Sequence, residues 1–199
     1  MPHNFFDDLN EKQREAVLYC DGPSLIIAGA GSGKTRVLTY KIAYLLQNGY
    51  EPWSILALTF TNKAAREMNE RIARLVGWDR AKYLWSGTFH SVFGRILRAE
   101  CGLIGFSRDY TIYDTADARS LVKAIVREMG LDEKVYKPAN ILNKISEAKN
   151  RLILPEEYAT DASIYKRDLH DNVGETRKVY EYYMKRCKMA NAMDFDDLL

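Results

Sequence analysis

The fold of this 199-residue sequence is decided by the stretch Ser24-Leu25-Ile26-Ile27-Ala28-Gly29-Ala30-Gly31-Ser32-Gly33-Lys34-Thr35. The apolar run from Leu25 to Ala28 predicts a short buried strand, and the glycine-rich segment after it predicts a turn. Arg36-Val37-Leu38 then opens a segment with the apolar spacing of a helix. Strand, loop and helix in this order form the setting that a phosphate-binding loop requires.

The residue types of this loop indicate what it binds. Glycines let successive backbone N–H groups turn inward around phosphate oxygens, and the helix N-terminus adds partial positive charge. Lys34 is predicted to reach the β- and γ-phosphates of ATP, and the Thr35 hydroxyl is predicted to ligate Mg²⁺, so these two residues are the candidate catalytic pair. The remaining predicted nucleotide contacts in the loop are Ala28, Gly29, Ala30, Gly31, Ser32 and Gly33.

One position departs from the general pattern G-x-x-x-x-G-K-[ST], because Ala28 stands where the first glycine is expected. The alternative interpretation is a flexible linker that contains an incidental lysine. A linker is not expected to follow an apolar strand and to continue into an amphipathic helix. The flanking segments therefore favour the nucleotide-binding loop.

Composition narrows the class of protein. Hydrophobic residues make up 47% and charged residues 28%, so the chain can bury a core and stay soluble. The formal net charge is only +2, so a nucleic-acid surface has to be local. Neither a signal peptide nor a membrane span is indicated, and Cys20, Cys101 and Cys187 have no metal-binding spacing. We therefore expect a cytoplasmic protein with reduced cysteines.

Gln13 has two interpretations. Asn10 is a good N-cap for a first helix, and Gln13 three residues later completes a capping box. The amide of Gln13 also offers a donor and an acceptor that match an adenine edge. The local sequence alone favours the capping role.

Polar and aromatic residues follow two predicted strands. Ile55–Phe60 is a continuous apolar run, typical of a parallel strand buried on both faces, and with the helix at 35–47 it predicts a βαβ unit. A second short strand ends in a similar cluster. In open parallel sheets, ligands gather at the carboxyl ends of strands, where an aromatic ring can stack on a base. The candidate DNA contacts are Thr59, Phe60, Thr61, Asn62, Thr88, Phe89 and His90. Alternatively, Phe60 is a core residue, Thr61 only an N-cap and His90 a structural histidine.

The later part of the chain differs from the earlier part. Helices are predicted at 114–129, 138–151 and roughly 168–189, with no comparable strand signal between them. This change from α/β to all-helical sequence predicts two structural units. The second unit contains many cations, which could form a duplex-binding face or simply a solvated one. They are Lys123, Arg127, Lys134, Lys137, Lys144, Lys149 and Arg151.

Paired acids close the sequence at Asp196-Asp197 and resemble a Walker B motif. That motif needs an apolar strand directly before the acids, and residues 187–191 do not have this character. We therefore predict that the segment begins a helix and does not place carboxylates at a metal.

The ordered motifs together resemble the superfamily 1 DNA helicases of the UvrD/PcrA/Rep type. L-N-x-x-Q-x-x-A-V at 9–17 is similar to the family's Q motif, and A-G-A-G-S-G-K-T at 28–35 is similar to its motif I, where an initial alanine is usual. L-T-F-T-N-K-A-A at 58–65 and G-T-F-H-S at 87–91 resemble the motifs that contact single-stranded DNA in relatives. The resemblance implies that Gln13 contacts adenine and that Arg36 lies near the nucleotide.

The resemblance also implies an organisation. Residues 1–109 would form the amino-terminal part of motor domain 1A, a P-loop (RecA-like) partial parallel sheet with flanking helices. Residues 110–192 would form the all-helical inserted subdomain 1B, and 193–199 would begin the return to 1A. The implied cofactors are ATP and Mg²⁺. The implied partners are single-stranded DNA and single/double-strand junctions, with 3′→5′ translocation.

Relatives place the Walker B pair and a second motor domain beyond the point that corresponds to Leu199. We therefore expect an amino-terminal portion that lacks turnover by itself. The alternatives are a subunit of a helicase–nuclease, a binding module that does not hydrolyse nucleotide, and a small nucleotide kinase. A kinase would share the phosphate loop but would not explain the two polar-aromatic strand ends.

Overall fold

A computed structural model describes residues 6–199. The chain divides into two compact units, Met1–Val92 and Phe93–Leu199. The predicted division of the chain into two structural units therefore agrees with the structure. The architecture is mixed α/β with small parallel sheets. The predicted boundaries of the subdomains at residues 109 and 192 stay predictions.

The first unit is built around two parallel strands joined by a helix. Strand β1 (Leu56–Thr59) pairs with strand β2 (Trp85–Thr88) so that Thr59 lies opposite Thr88, and helix α3 (Asn62–Val76) lies in the crossover between them. Its elements are α1 (Glu11–Leu18), α2 (Lys34–Gln47), a 3-10 turn (Pro52–Ser54), β1 (Leu56–Thr59), α3 (Asn62–Val76), α4 (Trp78–Ala81), β2 (Trp85–Thr88) and the start of α5 (Phe89–Glu100).

The core of this unit lies between the two-stranded sheet and the helices α2 and α3. On α3, the buried side chains Ala65, Met68 and Ile72 follow helical spacing, so one face of the helix is apolar. They meet side chains from α2 and from the sheet. The core cluster consists of Ile42, Leu46, Ile55, Ala57, Met68, Ile72 and Leu84.

Two predictions about strands were wrong. Within the described residues, Leu25–Ala28 form no strand, and Leu25 and Ile27 are 86% and 89% exposed. The run at Ile55–Phe60 does contain β1, but Leu56 on one face is half exposed. An apolar run becomes a buried strand only where neighbouring strands pair with it and helices cover it. The βαβ unit is therefore β1–α3–β2, whereas the prediction placed α2 between the strands.

The second unit is mainly helical and carries its own parallel strand pair. Its elements are the remainder of α5, a 3-10 turn (Cys101–Ile104), β3 (Thr111–Tyr113), α6 (Thr115–Glu128), α7 (Pro138–Asn150), α8 (Pro155–Thr160), α9 (Ala162–His170), α10 (Thr176–Met189), β4 (Ala192–Asp194) and a 3-10 turn (Asp196–Leu198). The helices predicted at 114–129 and 138–151 are confirmed. The helix predicted at 168–189 is interrupted, because Asn172 adopts a φ of 59° between α9 and α10.

The end of the chain also differs from the prediction. Ala192–Asp194 form the buried strand β4, which pairs in parallel with β3, and a 3-10 turn follows instead of a helix. The strand was missed because it has only three residues and ends in an aspartate. What buries Asp194 is a pairing with residues 111–113, about 80 positions earlier, which local pattern does not reveal.

Two lysines of α7 each bind a pair of aspartates spaced Asp-x-x-Asp. Lys149 Nζ lies 2.7 Å from Asp194 Oδ2 and 2.8 Å from Asp197 Oδ1, and its side chain is only 6% exposed. Tyr183 donates its hydroxyl to Asp194 Oδ2 at 2.7 Å. The two aspartates also accept each other's backbone N–H at 3.0 and 3.1 Å. We call these four residues the Lys149 cluster.

The Lys144 cluster repeats the arrangement five residues earlier on α7. Lys144 Nζ lies 3.0 Å from Asp168 Oδ1 and 2.7 Å from Asp171 Oδ2. Tyr158 donates its hydroxyl to Asp168 Oδ2 at 2.7 Å. α7 is thereby tied to α9 by one lysine and to the segment around β4 by the other.

These clusters correct the prediction of a basic face. Lys144 and Lys149 are engaged by aspartates, and Arg127 pairs with Glu133. Among the cations predicted for that face, Lys134 and Lys137 have no ion pair with any described residue. A charge reversal at Lys144 or Lys149 would therefore report on the stability of the fold and not on duplex DNA.

Burial and pairing shift the ionisation of the Lys149 cluster. Burial alone would lower the pKa of Lys149, but the attraction of Asp197 and Asp194 outweighs it and raises that pKa. Burial alone would raise the pKa of Asp194, but Lys149 and the hydroxyl of Tyr183 hold it below its usual range. Lys149 and Asp194 therefore stay charged at neutral pH, whereas burial and the neighbouring Asp194 raise the pKa of Asp197. The ion pairs of both aspartates with Lys149 make them structural partners of that lysine.

We expect the cysteines to differ in reactivity. The thiolate is the reactive form, and burial raises the pKa of the Cys187 thiol to about 11, whereas Cys20 is exposed. At about pH 8, iodoacetamide should modify Cys20 and leave Cys187 intact, as read by mass spectrometry. The unfolded chain in guanidinium is the control and should react at both. Equal rates in the folded protein would contradict the burial of Cys187.

Candidate functional site

The glycine-rich loop has a backbone that requires glycine at two positions. Gly31 and Gly33 have φ values of 75° and 87°, in the left-handed region that residues with a Cβ rarely adopt. Gly33 is the N-cap of α2, and a Cβ there would lie 2.7 Å from Gln13 Nε2. Beside Gly29 and Gly31, in contrast, an added Cβ would meet no described atom within 4 Å. The loop is thus tightly held at its end and open at its centre.

Lys34 lies across this loop. Its Nζ donates to the carbonyl oxygens of Ala28 at 2.8 Å and Gly29 at 2.7 Å, and it is the first residue of α2. Thr35 follows in the first turn of the helix and is exposed. The ammonium group therefore reaches the open centre of the loop, where phosphate oxygens could replace carbonyl oxygens as its acceptors.

The loop residues fit ATP and Mg²⁺. Open space, the N-terminus of a 14-residue helix and an ammonium group suit a polyphosphate. In the described part of the chain, no group of three or more His, Cys, Asp or Glu side chains is arranged to hold a metal. Mg²⁺ in phosphate sites is commonly held by few protein groups together with phosphates and water, and the hydroxyl of Thr35 can supply one such ligand.

Gln13 performs the predicted capping role and one that was not predicted. Its backbone N–H donates to Asn10 Oδ1 at 2.9 Å, and its side-chain oxygen accepts the Asn10 N–H at 3.1 Å. Its Nε2 also donates to the Ser32 carbonyl at 2.9 Å, which links α1 to the glycine-rich loop. No local signal could have shown this contact across 19 residues. The adenine contact stays a prediction.

Arg36 points away from the loop toward the segment before α1. Its Nη1 donates to the Asp8 carbonyl at 3.2 Å, and Tyr40 on the next turn donates to Asp8 Oδ2 at 2.5 Å. Burial, together with this carboxylate, raises the pKa of Tyr40. The predicted role of Arg36 near the nucleotide stays a prediction.

The carboxyl ends of β1 and β2 bring together the two predicted polar-aromatic clusters. Thr59 and Thr88 end neighbouring strands, and the rings of Phe60 and Phe89 lie 5.4 Å apart between centroids. Phe60 is 91% exposed, which excludes its interpretation as a core residue. Two clusters whose aromatic residues are 29 positions apart in sequence thus form one surface, which we call the aromatic edge.

The threonines of the aromatic edge support the helices that begin there. Thr61 Oγ1 accepts the Ala64 N–H at 3.2 Å and so caps α3, as its alternative interpretation proposed. Thr88 Oγ1 accepts the Ser91 N–H at 3.2 Å in the first turn of α5. Asn62 and His90, both exposed, stand in the first turns of α3 and α5. Two helix N-termini at one edge create a positive potential that suits phosphates.

Nearly the whole chain is similar to proteins of a known family. Residues 9–199 match the family model of the UvrD/REP helicase N-terminal domain. The chain is 49% identical over 192 residues to the ATP-dependent DNA helicase PcrA of Bacillus subtilis, and 47% identical over 192 residues to that of Leuconostoc citreum. It is 47% identical over 195 residues to the ATP-dependent DNA helicase UvrD1 of Mycobacterium bovis.

These alignments cover 96%, 96% and 97% of this chain but only 25% of each relative, so the chain spans about a quarter of the length of the curated relatives it matches. Among residues 6–199, no helix has the length and apolarity needed to cross a membrane. The match over nearly the whole chain includes the glycine-rich loop and both strand ends. The chain belongs to the UvrD/REP helicase family, and the part of that family which it represents is the N-terminal domain.

Proposed function

We propose that this chain is the ATP- and single-stranded-DNA-binding amino-terminal portion of an ATP-dependent DNA helicase that translocates 3′→5′. The observation that carries the proposal is the aromatic edge: a nearly fully exposed phenylalanine two residues before α3, whose ring lies beside the phenylalanine that begins α5, in the same unit as the glycine-rich loop. Base stacking and phosphate contacts together are the usual basis of single-strand binding without sequence preference. The names of the relatives, all ATP-dependent DNA helicases, support the same proposal.

In this proposal each predicted residue has a role. Lys34 binds the β- and γ-phosphates, Thr35 ligates Mg²⁺, and Gln13 and Arg36 lie at the base and sugar side of the nucleotide. The backbone from Ala28 to Gly33 surrounds the phosphates. The strand passes along the aromatic edge, where it meets Thr59, Phe60, Thr61, Asn62, Thr88, Phe89 and His90. Contact with single/double-strand junctions is a further prediction.

A substitution at Phe60 tests the DNA path. Because stacking on an aromatic side chain is worth roughly 1–3 kcal/mol per base, Phe60→Ala should weaken binding of oligothymidine about 5- to 150-fold. The affinity of the parent should also fall as salt concentration rises, because phosphate contacts release counterions. Fluorescence anisotropy of a labelled oligonucleotide measures both effects.

Trp53→Ala is the matched control, since Trp53 is an aromatic residue with 61% exposure just before β1, at the other end of the strand. This variant should bind DNA as the parent does. A folded Phe60→Ala protein with unaltered affinity would show that the strand does not pass the aromatic edge.

We also expect these 199 residues to bind nucleotide without hydrolysing it at a useful rate. Phosphoryl transfer to water needs a carboxylate near the metal and a group that orients the water. The acids that end the sequence do not offer such a carboxylate, because Asp194 and Asp197 are paired with Lys149 and Asp196 Oδ1 accepts a hydrogen bond from Asn150 Nδ2 at 3.1 Å. Phosphate release should stay at background with and without single-stranded DNA. DNA-stimulated release would show that a catalytic carboxylate lies elsewhere in residues 1–199.

A further inference from the structure

The two rings of the aromatic edge are not equivalent. Phe60 is 91% exposed and lies in the connection between β1 and α3, whereas Phe89 is half-buried and begins α5 directly after β2. Their centroids are 5.4 Å apart and their planes are inclined by 34°. One side of Phe60 therefore rests beside Phe89, and its other face is open to solvent.

This spacing excludes one mode of binding. A base inserted between two rings needs about 7 Å between them, twice the roughly 3.4 Å stacking distance of nucleic acids, and parallel planes. The two rings are closer than that and tilted. A base can therefore stack on the outer face of Phe60 without entering between the rings, so the pair offers a platform for one base.

Phe89 begins helix α5, and its half-buried ring is more restricted than the exposed ring of Phe60. Thr88, which precedes it, is paired in β2 opposite Thr59, and its carbonyl accepts the Ser91 hydroxyl at 2.9 Å. The backbone around Phe60 is held in a similar way, since Thr59 is paired in β1 and Thr61 caps α3, but the ring of Phe60 is 91% exposed and the ring contact described for it is with Phe89. An exposed ring loses rotamer freedom when it stacks on a base, and a neighbouring ring that already restricts it reduces this loss.

We propose that Phe89 is a positioning residue that holds Phe60 in the orientation in which one unpaired base stacks on its outer face. This inference rests on the proposed function, because it concerns the same DNA path. It assigns contact with the base to Phe60 alone. The flanking phosphates fall to the N-termini of α3, which begins two residues after Phe60, and of α5, which begins at Phe89.

A double-mutant cycle on the whole chain tests the assignment with oligothymidine as the probe. Phe60→Leu should weaken binding about 5- to 150-fold, since the stacking platform is lost. Phe89→Leu should weaken it only about 2- to 12-fold, since an aromatic pair contributes modestly. The double variant should bind no more weakly than Phe60→Leu alone, because Phe89 acts through Phe60.

Two further measurements separate positioning from folding. Phe89→Tyr keeps the ring and should restore affinity to within about twofold of the parent. An oligonucleotide with an abasic site at every position should bind the parent and both leucine variants equally, because no base is present to stack.

The results of these measurements separate a failure of the positioning role of Phe89 from a failure of the proposed DNA path. Losses that multiply in the double variant would show that Phe89 contacts a base directly and would overturn the inference while leaving the DNA path intact. An unaltered affinity of Phe89→Leu beside a weakened Phe60→Leu would overturn it as well. If Phe60→Leu itself bound like the parent, the proposed DNA path would fail.

Discussion

Lys34→Ala is expected to lower the affinity for ATP at least tenfold. The ammonium group reaches the open centre of the loop, where it donates to two carbonyl oxygens within 2.8 Å. Hydrogen bonds to charged groups contribute about 1.5–3 kcal/mol each, which corresponds to roughly 10- to 150-fold in affinity. Titration with a fluorescent ATP analogue in the presence of Mg²⁺ measures the change.

Lys12→Ala is the control for this experiment. Lys12 is exposed on α1 and pairs with Glu15 one turn away, so its loss removes the same charge from the surface of the same unit. An exposed pair of this kind contributes little to stability, and ATP affinity should stay unchanged. Equal affinities of the Lys34→Ala variant and the parent would refute the assignment of the phosphate loop.

Lys149→Met is expected to give the largest loss of stability in the second unit. Removing one partner of a buried ion pair leaves uncompensated charge, which typically costs about 3–5 kcal/mol. Here two carboxylates, those of Asp194 and Asp197, would remain inside without a cation. Urea unfolding followed by circular dichroism measures the free energy of unfolding.

Lys144→Met is the matched comparison, because it removes the equivalent lysine one and a half turns earlier on α7. Of its two partners, Asp168 is buried but keeps the hydroxyl of Tyr158, and Asp171 is 45% exposed and can be hydrated after the loss, so the free energy of unfolding should fall by less. The exchange of all three charged groups of the Lys149 cluster for apolar ones should recover most of the loss. A Lys149→Met protein as stable as the parent would show that the cluster does not hold α7 to β4.

The raised pKa of Lys149 determines how the free energy of unfolding changes with pH. The pKa of Lys149 is raised in the folded state, so its contribution is complete below the unfolded pKa of about 10.4 and disappears as pH rises through the folded value. The parent should therefore lose stability above about pH 10.4, and Lys149→Met should lose less over the same range, since Lys144 and the buried tyrosines keep their raised pKa in the variant. In the variant, the unpaired aspartates should protonate more readily than in the unfolded chain. Its deficit should shrink as pH falls from about 7 toward 4.

The sequence was sufficient for features that depend on local pattern. The glycine-rich loop, the capping box at Asn10 and the helices at 114–129 and 138–151 each follow from residue types within one or two turns. The convergence of Phe60 and Phe89 could also be predicted, because parallel strands bring their carboxyl ends to one edge. These features need no information about distant partners.

What could not be predicted depends on contacts between distant residues. Leu25–Ala28 has the composition of a strand, but composition does not state whether another strand pairs with it. Lys149 resembles any solvated lysine until Asp194, 45 residues later, is placed beside it. Gln13 likewise reaches Ser32 through the fold and not through the sequence pattern. Pairing and burial of charge are properties of the assembled chain.

The position of the Lys149 cluster in the sequence bears on protein synthesis. Because chains emerge from the ribosome amino end first, Asp168 and Asp171 reach α7 before Asp194 and Asp197 exist. Until then Lys149 lacks both of its acceptors, and α7 stays tied on one side only. The buried ion pairs of the second unit therefore cannot all form while its helices are being translated. It reaches its final form only after residue 197 has left the ribosomal tunnel, so a ribosome that stalled earlier would carry a nascent chain with this helix incompletely secured.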